Sequence, residues 1–184
     1  INKDCQALIL LPEIALTNQF RNRFQEFFGV EPAIWHSGTT KKNKSIIWKG
    51  ILEGKIKIVI GARSSLFLPF KNLGIIVVDE EHDVSYKQDE GVSYNARDMA
   101  ITRASIENIS INLVTSIPSV ETYNNIVSKK YYITKLKKRY QEAPFPNIEI
   151  INLNSESLNK DNWIADKTIN KVNEYLKKGD QALF

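Results

Sequence analysis

The chain has 184 residues, 42% of them hydrophobic and 25% charged, which is the balance of a folded globular protein and excludes a disordered one. One cysteine excludes an internal disulfide, and one cysteine with two histidines cannot complete a four-ligand zinc site. The net charge of +4 permits an acidic partner such as nucleic acid without requiring one.

Short apolar segments alternate with longer amphipathic segments along the whole chain. In chain order, the sequence predicts strand Ala7–Leu11, helix Thr17–Phe28, strand Ala33–His36, helix Asn43–Glu53, strand Ile56–Ile60, strand Gly74–Asp79, helix Ala96–Ile106, strand Ser110–Thr115, helix Ser119–Ser128, strand Ile148–Leu153 and helix Trp163–Lys177.

The predicted strands are continuously apolar and rich in β-branched residues. Strands of this kind occur where helices cover both faces of a sheet. Alternation of strands and helices favours parallel strands joined by right-handed crossovers. We therefore predict an α/β fold with a doubly wound, mainly parallel sheet.

Composition suggests two lobes. Residues 144–162 are rich in Asn, Ser and Glu, and we predict a linker there, between a first lobe at 1–143 and the start of a second at 163–184. The first residue is Ile1, the only methionine is Met99, and the last residues have the pattern of a strand that has just begun. We expect the chain to be an internal piece of a longer protein.

The strongest chemical signal follows the predicted strand at Gly74–Asp79, where an apolar run ends in Asp79-Glu80-Glu81-His82. Ligands of an open parallel sheet bind beyond the carboxyl ends of its strands. Two carboxylates there suit Mg²⁺-assisted hydrolysis of a nucleotide, in which Asp79 holds the hydrated metal and Glu80 orients and deprotonates a water. Acids after a strand also form plain exposed turns, but the complete pattern favours catalysis.

Two other segments carry groups suited to nucleic acid. Arg63 and Ser64 follow the third predicted strand, where they can contact phosphate oxygens or, alternatively, cap their own loop. Aromatic and basic groups alternate in the loop after the fourth strand, at Tyr86, Lys87, Tyr94 and Arg97. Such a loop is typical of single-strand binding, although its tyrosines could instead pack on the core.

These segments resemble the motifs of a known family. The block Asp79–His82 resembles motif II of superfamily 2 helicases, and residues 83–98 resemble the aromatic-rich loop of PriA-type replication-restart helicases. Leu11–Thr17 resembles motif Ia, His36–Gly38 the second strand end, and Gly61–Phe70 motif Ib. The likeness runs from about Ala7 to Tyr140 and continues weakly to Phe184.

The resemblance implies a RecA-like P-loop NTPase fold in which residues 1–143 are most of the first helicase lobe. It implies an ATP-dependent 3′-to-5′ DNA helicase acting in replication restart, with Asp79 and Glu80 as catalytic residues. Glu81 and His82 are implied to relay between the nucleotide site and motif III, although a lone histidine is more often structural. Arg63, Ser64 and the four loop residues are implied to bind DNA and to sense it.

The implied cofactors of the intact protein are ATP and Mg²⁺, with zinc only in family regions outside this chain. The implied partners are single-stranded and branched (fork) DNA, single-strand-binding protein and other primosome proteins. We expect a cytoplasmic location, because the chain has no signal peptide and no apolar run near the roughly 18 residues of a membrane span.

Two departures from the family pattern limit these expectations. No glycine-rich loop ending in Gly-Lys-Ser or Gly-Lys-Thr occurs in the chain, so we expect the isolated chain to be inactive. The motif III segment reads Thr115-Ser116-Ile117, in which an isoleucine replaces a hydroxyl-bearing threonine. We expect this change to weaken the coupling of hydrolysis to unwinding.

Two alternatives follow from these departures. The chain could be a non-catalytic DNA-binding or interaction remnant of a degraded helicase gene. Alternatively, a separate chain could supply the missing phosphate loop.

Overall fold

A computed structural model describes residues 5–12, 18–137, 146–153 and 164–183. The strands are β1 (Gln6–Leu10), β2 (Ala33–Trp35), β3 (Ile58–Gly61), β4 (Leu73–Val78), β5 (Lys87–Gln88), β6 (Tyr94–Asn95) and β7 (Ser110–Leu113). The α-helices are α1 (Asn18–Phe28), α2 (Lys41–Leu52), α3 (Ala96–Glu107), α4 (Val120–Val127) and α5 (Asp166–Lys177). Short 3₁₀ helices cover Arg63–Phe67 and Val84–Tyr86.

Five strands form one fully parallel sheet in the order β2-β3-β1-β4-β7, and β5 and β6 form a separate antiparallel pair. The central strand β1 pairs on both sides, with Ala7 opposite Ile58 of β3 and Ile75 of β4. The connection after β1 runs to one side of the sheet and the connection after β4 runs to the other. The predicted doubly wound, parallel α/β fold is confirmed.

Both faces of the sheet are covered, as the apolar strands predicted. Within β3, Val59 packs in one hydrophobic cluster, while Ile58 and Ile60 pack in another, because successive side chains of a strand point to opposite faces. The cluster around Val59 includes residues of α2 and α3, and the cluster around Ile60 includes Phe24 of α1. Helices therefore lie on both faces.

A buried glutamine closes the amino edge of the sheet. The side-chain amide of Gln6 donates hydrogen bonds to the carbonyls of Ile51 (3.0 Å) and Ile56 (2.7 Å). Its side-chain oxygen accepts from the backbone N–H groups of Lys71 (2.8 Å) and Asn72 (3.0 Å). All four hydrogen-bonding positions of the amide are used. The Gln6 side chain therefore joins β1 to the end of α2 and to the segments that precede β3 and β4.

The predicted elements up to α4 are found, with boundaries that differ by two residues or fewer. One prediction was wrong: residues 146–153 form no strand, and Ile148 and Ile150 are exposed. A strand needs a neighbour for its backbone groups, and no pairing for this segment exists among the described residues. The predicted first residues of two helices, Thr17 and Trp163, lie outside the described residues, as does most of the predicted linker.

The chain divides into two units, residues 1–133 and 134–184. The first contains the sheet and helices α1 to α4, and the second contains α5. In the parts of the chain that the structure describes, no helix is long and apolar enough to span a membrane.

Candidate active site and nucleic-acid surface

The carboxyl ends of β1, β3, β4 and β7 meet at one edge of the sheet, because these strands are parallel neighbours. Just beyond β4, the backbone N–H of Asp79 donates to the carbonyl of Leu10 at the end of β1 (3.0 Å). Two residues later, the N–H of Glu81 donates to the carbonyl of Val114 beyond β7 (3.1 Å). The acids therefore lie at the edge where ligands of open α/β sheets bind.

Asp79 and Glu80 present half-buried carboxylates at this edge. Oδ1 of Asp79 accepts a hydrogen bond from the backbone N–H of Glu80 (3.1 Å). Glu80 has a φ of 46°, in the left-handed region that is unfavourable for a side chain with a Cβ. Residues held in such a conformation cluster at functional sites, because surrounding structure must impose it.

The donor set at this edge fits a Mg²⁺ ion that arrives with a nucleotide. Within the described ranges, no group of three or more His, Cys, Asp and Glu side chains could hold a metal ion by itself. Mg²⁺ keeps several waters and is commonly held by one or two carboxylates together with substrate phosphates. The Asp79 carboxylate is an oxygen donor of the kind that such a site uses.

Glu81 differs from its two neighbours in being fully buried, with 1% of its surface exposed. Its Oε1 accepts from the backbone N–H of Ser119 (2.7 Å), and its Oε2 accepts from the hydroxyls of Ser119 (2.9 Å) and Thr122 (3.0 Å). Arg97 Nη1 also donates to Oε2 (3.2 Å). Glu81 therefore fastens the end of β4 to the first turn of α4.

Arg97 requires a correction to the sequence prediction. The side chain is 6% exposed, with Nη1 on Glu81 and on the Ser119 hydroxyl (2.7 Å) and Nε on Asp98 (2.8 Å). A guanidinium whose charge is buried and paired in this way cannot lie on a DNA-contacting surface. Its place in the structure is a buried ion pair behind the carboxylates.

Tyr86 requires the same correction. Its ring belongs to the hydrophobic core with 1% of the residue exposed, so it cannot stack on a base. The hydroxyl lies 2.6 Å from the carbonyl oxygen of Asp79 and 3.0 Å from that of Leu10. Burial, with the nearby Asp79 charge, raises the pKa of Tyr86, so the hydroxyl keeps the proton that it donates. Tyr86 joins the ends of β1 and β4.

The other predicted DNA-contacting residues remain on the surface and lie close together. The half-buried Arg63 donates through Nη1 to the carbonyl of Lys87 (2.6 Å), and the exposed Lys87 side chain pairs with Asp89 (3.2 Å). Tyr94 is half-buried and packs edge-on against Phe67, with ring centroids 5.5 Å apart. The loop after β4 is thus fastened to the segment after β3.

Ser64, next to Arg63, is exposed, and its hydroxyl accepts a hydrogen bond from the indole N–H of Trp35 (3.2 Å). The contact between Trp35 and Ser64 was not predicted from the sequence. It places the end of β2 beside the end of β3.

The motif III segment meets motif II through His82. The ring Nδ1 lies 2.7 Å from the Thr115 hydroxyl and 3.6 Å from Oε2 of Glu80. The Thr115 hydroxyl donates to the carbonyl of Ile117 (2.8 Å) and accepts from the backbone N–H of Ile117 (3.2 Å), so Thr115 connects the His82 ring to the rest of the motif III segment.

Ile117 is 71% exposed and Ser116 is also exposed, so an isoleucine at position 117 is not packed against a buried polar group. The hydroxyl in contact with motif II belongs to Thr115 instead.

Some functional contacts were missed by the sequence analysis. Ser119 and Thr122 donate hydrogen bonds to the buried Glu81 carboxylate. The Ser119 side chain also caps α4 by accepting from the N–H of Thr122. A serine two residues before a helical glutamate is a recognisable N-cap signal, but it does not reveal the second partner. Of the motif Ia segment, only Leu11 and Pro12 are described, and residues 13–17 lie outside the described residues.

Comparison with known proteins places these features in context. Residues 1–125 match the family model of the DEAD/DEAH box helicase. The replication restart protein PriA of Rickettsia conorii is 51% identical over 181 residues, which are 98% of this chain and 28% of that protein. The same protein of Bacillus subtilis is 36% identical over 182 residues, 98% of this chain and 23% of that protein. The resemblance predicted from the motifs is confirmed.

The crystal structure of the DUF1998 helicase MrfA aligns with a TM-score of 0.44 at 18% identity, covering 68% of this chain and 22% of that one. The chain spans about a quarter of the length of the curated PriA relatives it matches.

Proposed function

Because the chain belongs to the DEAD/DEAH box helicase family, we propose that it forms part of the ATP-hydrolysing motor of a 3′-to-5′ DNA helicase that acts in replication restart. The observation that carries the proposal is one edge of the sheet. There, two available carboxylates follow β4, and the loop after them is fastened to Arg63 of the neighbouring motif. The proposed site of ATP hydrolysis and the proposed DNA-contacting residues therefore lie at the same edge of the sheet.

Asp79 and Glu80 have different tasks in this proposal. Bound ATP with Mg²⁺ supplies the phosphoryl group and neutralises its charge. Asp79 would hold the hydrated ion through its carboxylate, and the Tyr86 hydroxyl fixes the backbone of Asp79 by a hydrogen bond to its carbonyl (2.6 Å). Glu80 would orient the attacking water and accept its proton, since its carboxylate is only half-buried, in contrast to that of Glu81.

Arg63, Ser64, Lys87 and Tyr94 contact the DNA in this proposal, because they are the predicted residues that remain accessible. Guanidinium, hydroxyl and ammonium groups contact phosphates, and an aromatic ring offers a stacking surface. Arg97 and Glu81 act as positioning residues. His82 with Thr115 supplies the link between the water-activating carboxylate and motif III.

The proposal extends to the domains and partners of the whole protein, by analogy with the family. We propose that residues 1–143 belong to the first lobe, that 144–162 connect the lobes, and that 163–184 open the second. Fork DNA, single-strand-binding protein and primosome proteins are the proposed partners of the whole protein. Zinc belongs, in this proposal, to regions outside the chain.

The comparisons favour a replication-restart helicase over a non-catalytic remnant. We propose that the chain by itself is nevertheless inactive, since it has no phosphate loop of the Gly-Lys-Ser or Gly-Lys-Thr type. Phosphate release by the isolated chain, abolished in Glu80→Gln, would contradict that part of the proposal.

A chimera tests the proposed function. In it, this chain replaces the matched segment of the Rickettsia conorii relative, which supplies the missing parts. We expect DNA-stimulated ATP hydrolysis that Glu80→Gln abolishes and that Glu26→Gln, the same change at an exposed acid of α1, leaves intact. A folded chimera without ATP hydrolysis contradicts the proposal. The same chimera with Ile117→Thr measures the expected coupling defect as base pairs opened per ATP.

DNA contact is tested on the isolated chain. Fluorescence anisotropy with a single-stranded oligonucleotide should give a dissociation constant in the non-specific range of roughly 10⁻⁴–10⁻⁶ M. Arg63→Ala should weaken binding several-fold without changing base preference, because phosphate contacts carry no sequence information. Arg23→Ala, which removes an exposed arginine of α1, is the matched control. Equal affinities of both variants would remove the DNA assignment of Arg63.

A further inference from the structure

Helix α2 carries a basic surface to which the proposed function gives no task. From Pro32 to Leu52 the chain contains four lysines and one histidine but no acidic residue. Lys41, Lys42 and Lys49 are exposed, and Lys44 is half-buried. The segment is therefore strongly positive within a chain whose total net charge is only +4.

Three of the four lysines of α2 differ from charged side chains that have carboxylate partners, whereas the fourth, Lys44, donates a hydrogen bond to the carbonyl of Ser37 (3.5 Å). Lys55 pairs with Glu53 (2.6 Å), and Arg103 pairs with Glu107 (2.7 Å). Among the described residues, no carboxylate lies within ion-pair distance of Lys41, Lys42 or Lys49. The charges of Lys41 and Lys42 are therefore available to an external anion, whereas the charge of Lys49 contributes to lowering the pKa of Glu53.

A continuous line of contacts leads from the proposed DNA surface to α2. The Ser64 hydroxyl accepts from the Trp35 indole (3.2 Å), and the Lys44 ammonium lies over the Trp35 ring, 5.6 Å from its centroid. Lys41 precedes Lys44 by three residues, so both lie on one face of the helix. The first turn of α2 therefore continues the row of groups that begins at Arg63 and Ser64.

There is also space for a ligand beside this turn. An open cavity of about 410 Å³ is lined by polar groups that include His36, Thr39 and Asn43. The side chain of Thr40 caps α2 by accepting from the N–H of Asn43 (3.3 Å). His36 and Thr39 follow the end of β2, so their part of the cavity lies at the same carboxyl edge of the sheet as Arg63. The cavity lining does not include Lys41, Lys42 or Lys44, which belong to the turn beside it.

We propose that the first turn of α2, with Lys41, Lys42 and Lys44, is a second phosphate-contacting surface for the single-stranded DNA that binds at Arg63 and Ser64. The inference rests on the proposed function, which supplies the strand. The contacts are electrostatic, because ammonium groups reach phosphate oxygens and carry no base information. The surface therefore lengthens the bound strand without changing its sequence preference.

Salt dependence of binding tests this surface. Each phosphate contact to a single strand contributes about 0.7 to the slope of log affinity against log salt. The double variant Lys41→Gln, Lys42→Gln should therefore lower that slope by about 1.4 for an oligothymidine of about 16 nucleotides, the upper end of typical single-strand sites. An oligoadenosine of equal length should show the same change. The control, Lys129→Gln with Lys130→Gln, removes two exposed charges beyond α4 and should leave the slope unchanged.

Each outcome separates the surface from the proposed function. If Arg63→Ala weakens binding while the α2 double variant keeps the wild-type slope, the DNA surface ends at Ser64 and the inference is wrong. If neither variant changes binding, the DNA-binding part of the proposed function fails together with the inference. If the control loses as much slope as the α2 variant, only net charge matters and the inference is again wrong. Equal unfolding midpoints of the variants verify that the exposed substitutions leave the fold intact.

Discussion

The two edges of the parallel sheet use polar side chains in opposite ways. At the amino edge, Gln6 satisfies all four hydrogen-bonding positions of its amide with carbonyls and N–H groups of the same chain. At the carboxyl edge, Asp79 and Glu80 keep half-exposed carboxylates, and Glu80 has a left-handed backbone. A polar group whose hydrogen bonds are all made within the chain maintains the fold. A carboxylate at a strand end that remains accessible can instead bind a ligand or accept a proton.

The carboxyl edge contains the same contrast within three consecutive acids. Glu81 resembles Gln6, since it is buried and its hydrogen bonds are all internal, although it directly follows the proposed catalytic Glu80. Position in the sequence therefore does not decide the role of a carboxylate. The following substitutions test this contrast, in order of decreasing loss of stability.

Glu81→Ala should be the most damaging change. It removes the buried partner of the Arg97 guanidinium, which keeps only the exposed carboxylates of Asp98 (2.8 Å) and Glu121 (3.7 Å), and it removes the acceptor of Ser119 and Thr122. Breaking a buried ion pair by removing one partner costs about 3–5 kcal/mol. Urea unfolding followed by circular dichroism measures the loss, with Glu80→Ala as the adjacent control. A loss no larger than that of the control would show that Glu81 is not a structural anchor.

Gln6→Leu should have the next largest effect. The change retains side-chain bulk but removes the four hydrogen bonds of the amide at the amino edge, although the Ile51 carbonyl still accepts from the N–H of Gly54 (3.0 Å). Because an unsatisfied buried group costs about 1–3 kcal/mol and these groups are partly reachable by water, we expect a loss of about 3 kcal/mol. Gln88→Leu is the control, since that amide bonds only to nearby loop carbonyls. Equal unfolding free energies for the two variants would remove the distinction between the edges.

Tyr86→Phe sharpens the role of the buried ring at the carboxyl edge. The phenylalanine keeps the core packing and removes only the hydroxyl between the carbonyls of Asp79 and Leu10. A net hydrogen bond contributes about 0.5–1.5 kcal/mol, so we expect a loss of about 1 kcal/mol. Tyr94→Phe should have no measurable effect on the midpoint of thermal unfolding. The reverse ranking would mean that Tyr94, and not Tyr86, is the structural tyrosine of this loop.

The smallest effect concerns pH. Hydrogen bonds from Ser85 lower the pKa of Asp83, which caps the 3₁₀ helix at Val84–Tyr86. A lowered pKa stabilises the fold above the unfolded value of about 3.9, and this stabilisation is lost as the pH falls through the folded value. Asp83→Asn keeps a capping oxygen without the titration. Urea midpoints at neutral and acid pH should therefore differ less in the variant than in the wild type, and an unchanged difference would contradict the assignment.

Much of the fold follows from the sequence because its strands are continuously apolar. The runs that became β1, β3 and β4 could be buried only between two helical layers, which fixed the parallel α/β class. The same reasoning failed at Ile148–Leu153, because an apolar pattern does not guarantee a neighbouring strand. The short pair β5 and β6 was missed, since two-residue strands have no periodicity to detect.

The sequence predicted which residues lie near the site, but not which of their side chains are exposed to solvent. The acids after β4 were identified correctly as a group at the carboxyl edge, yet their separate environments depend on Ser119 and Thr122, which lie 38 and 41 residues away in the chain. Tyr86 and Arg97 have the composition of a DNA-binding loop, and only packing shows that both are buried. A loop sequence shows which side chains the loop contains. Three-dimensional contacts decide which of these side chains are exposed to solvent.

The left-handed backbone of Glu80 has a consequence for how this position can evolve. Only glycine adopts a φ of 46° without a Cβ penalty, which is roughly 1–2 kcal/mol for other residues. A library screened for heat resistance should therefore enrich Glu80→Gly, whereas a library screened for DNA unwinding should retain glutamate. The two kinds of selection act in opposite directions on one codon. In populations that need the motor, natural variation at position 80 should be far narrower than tolerance of the fold alone allows.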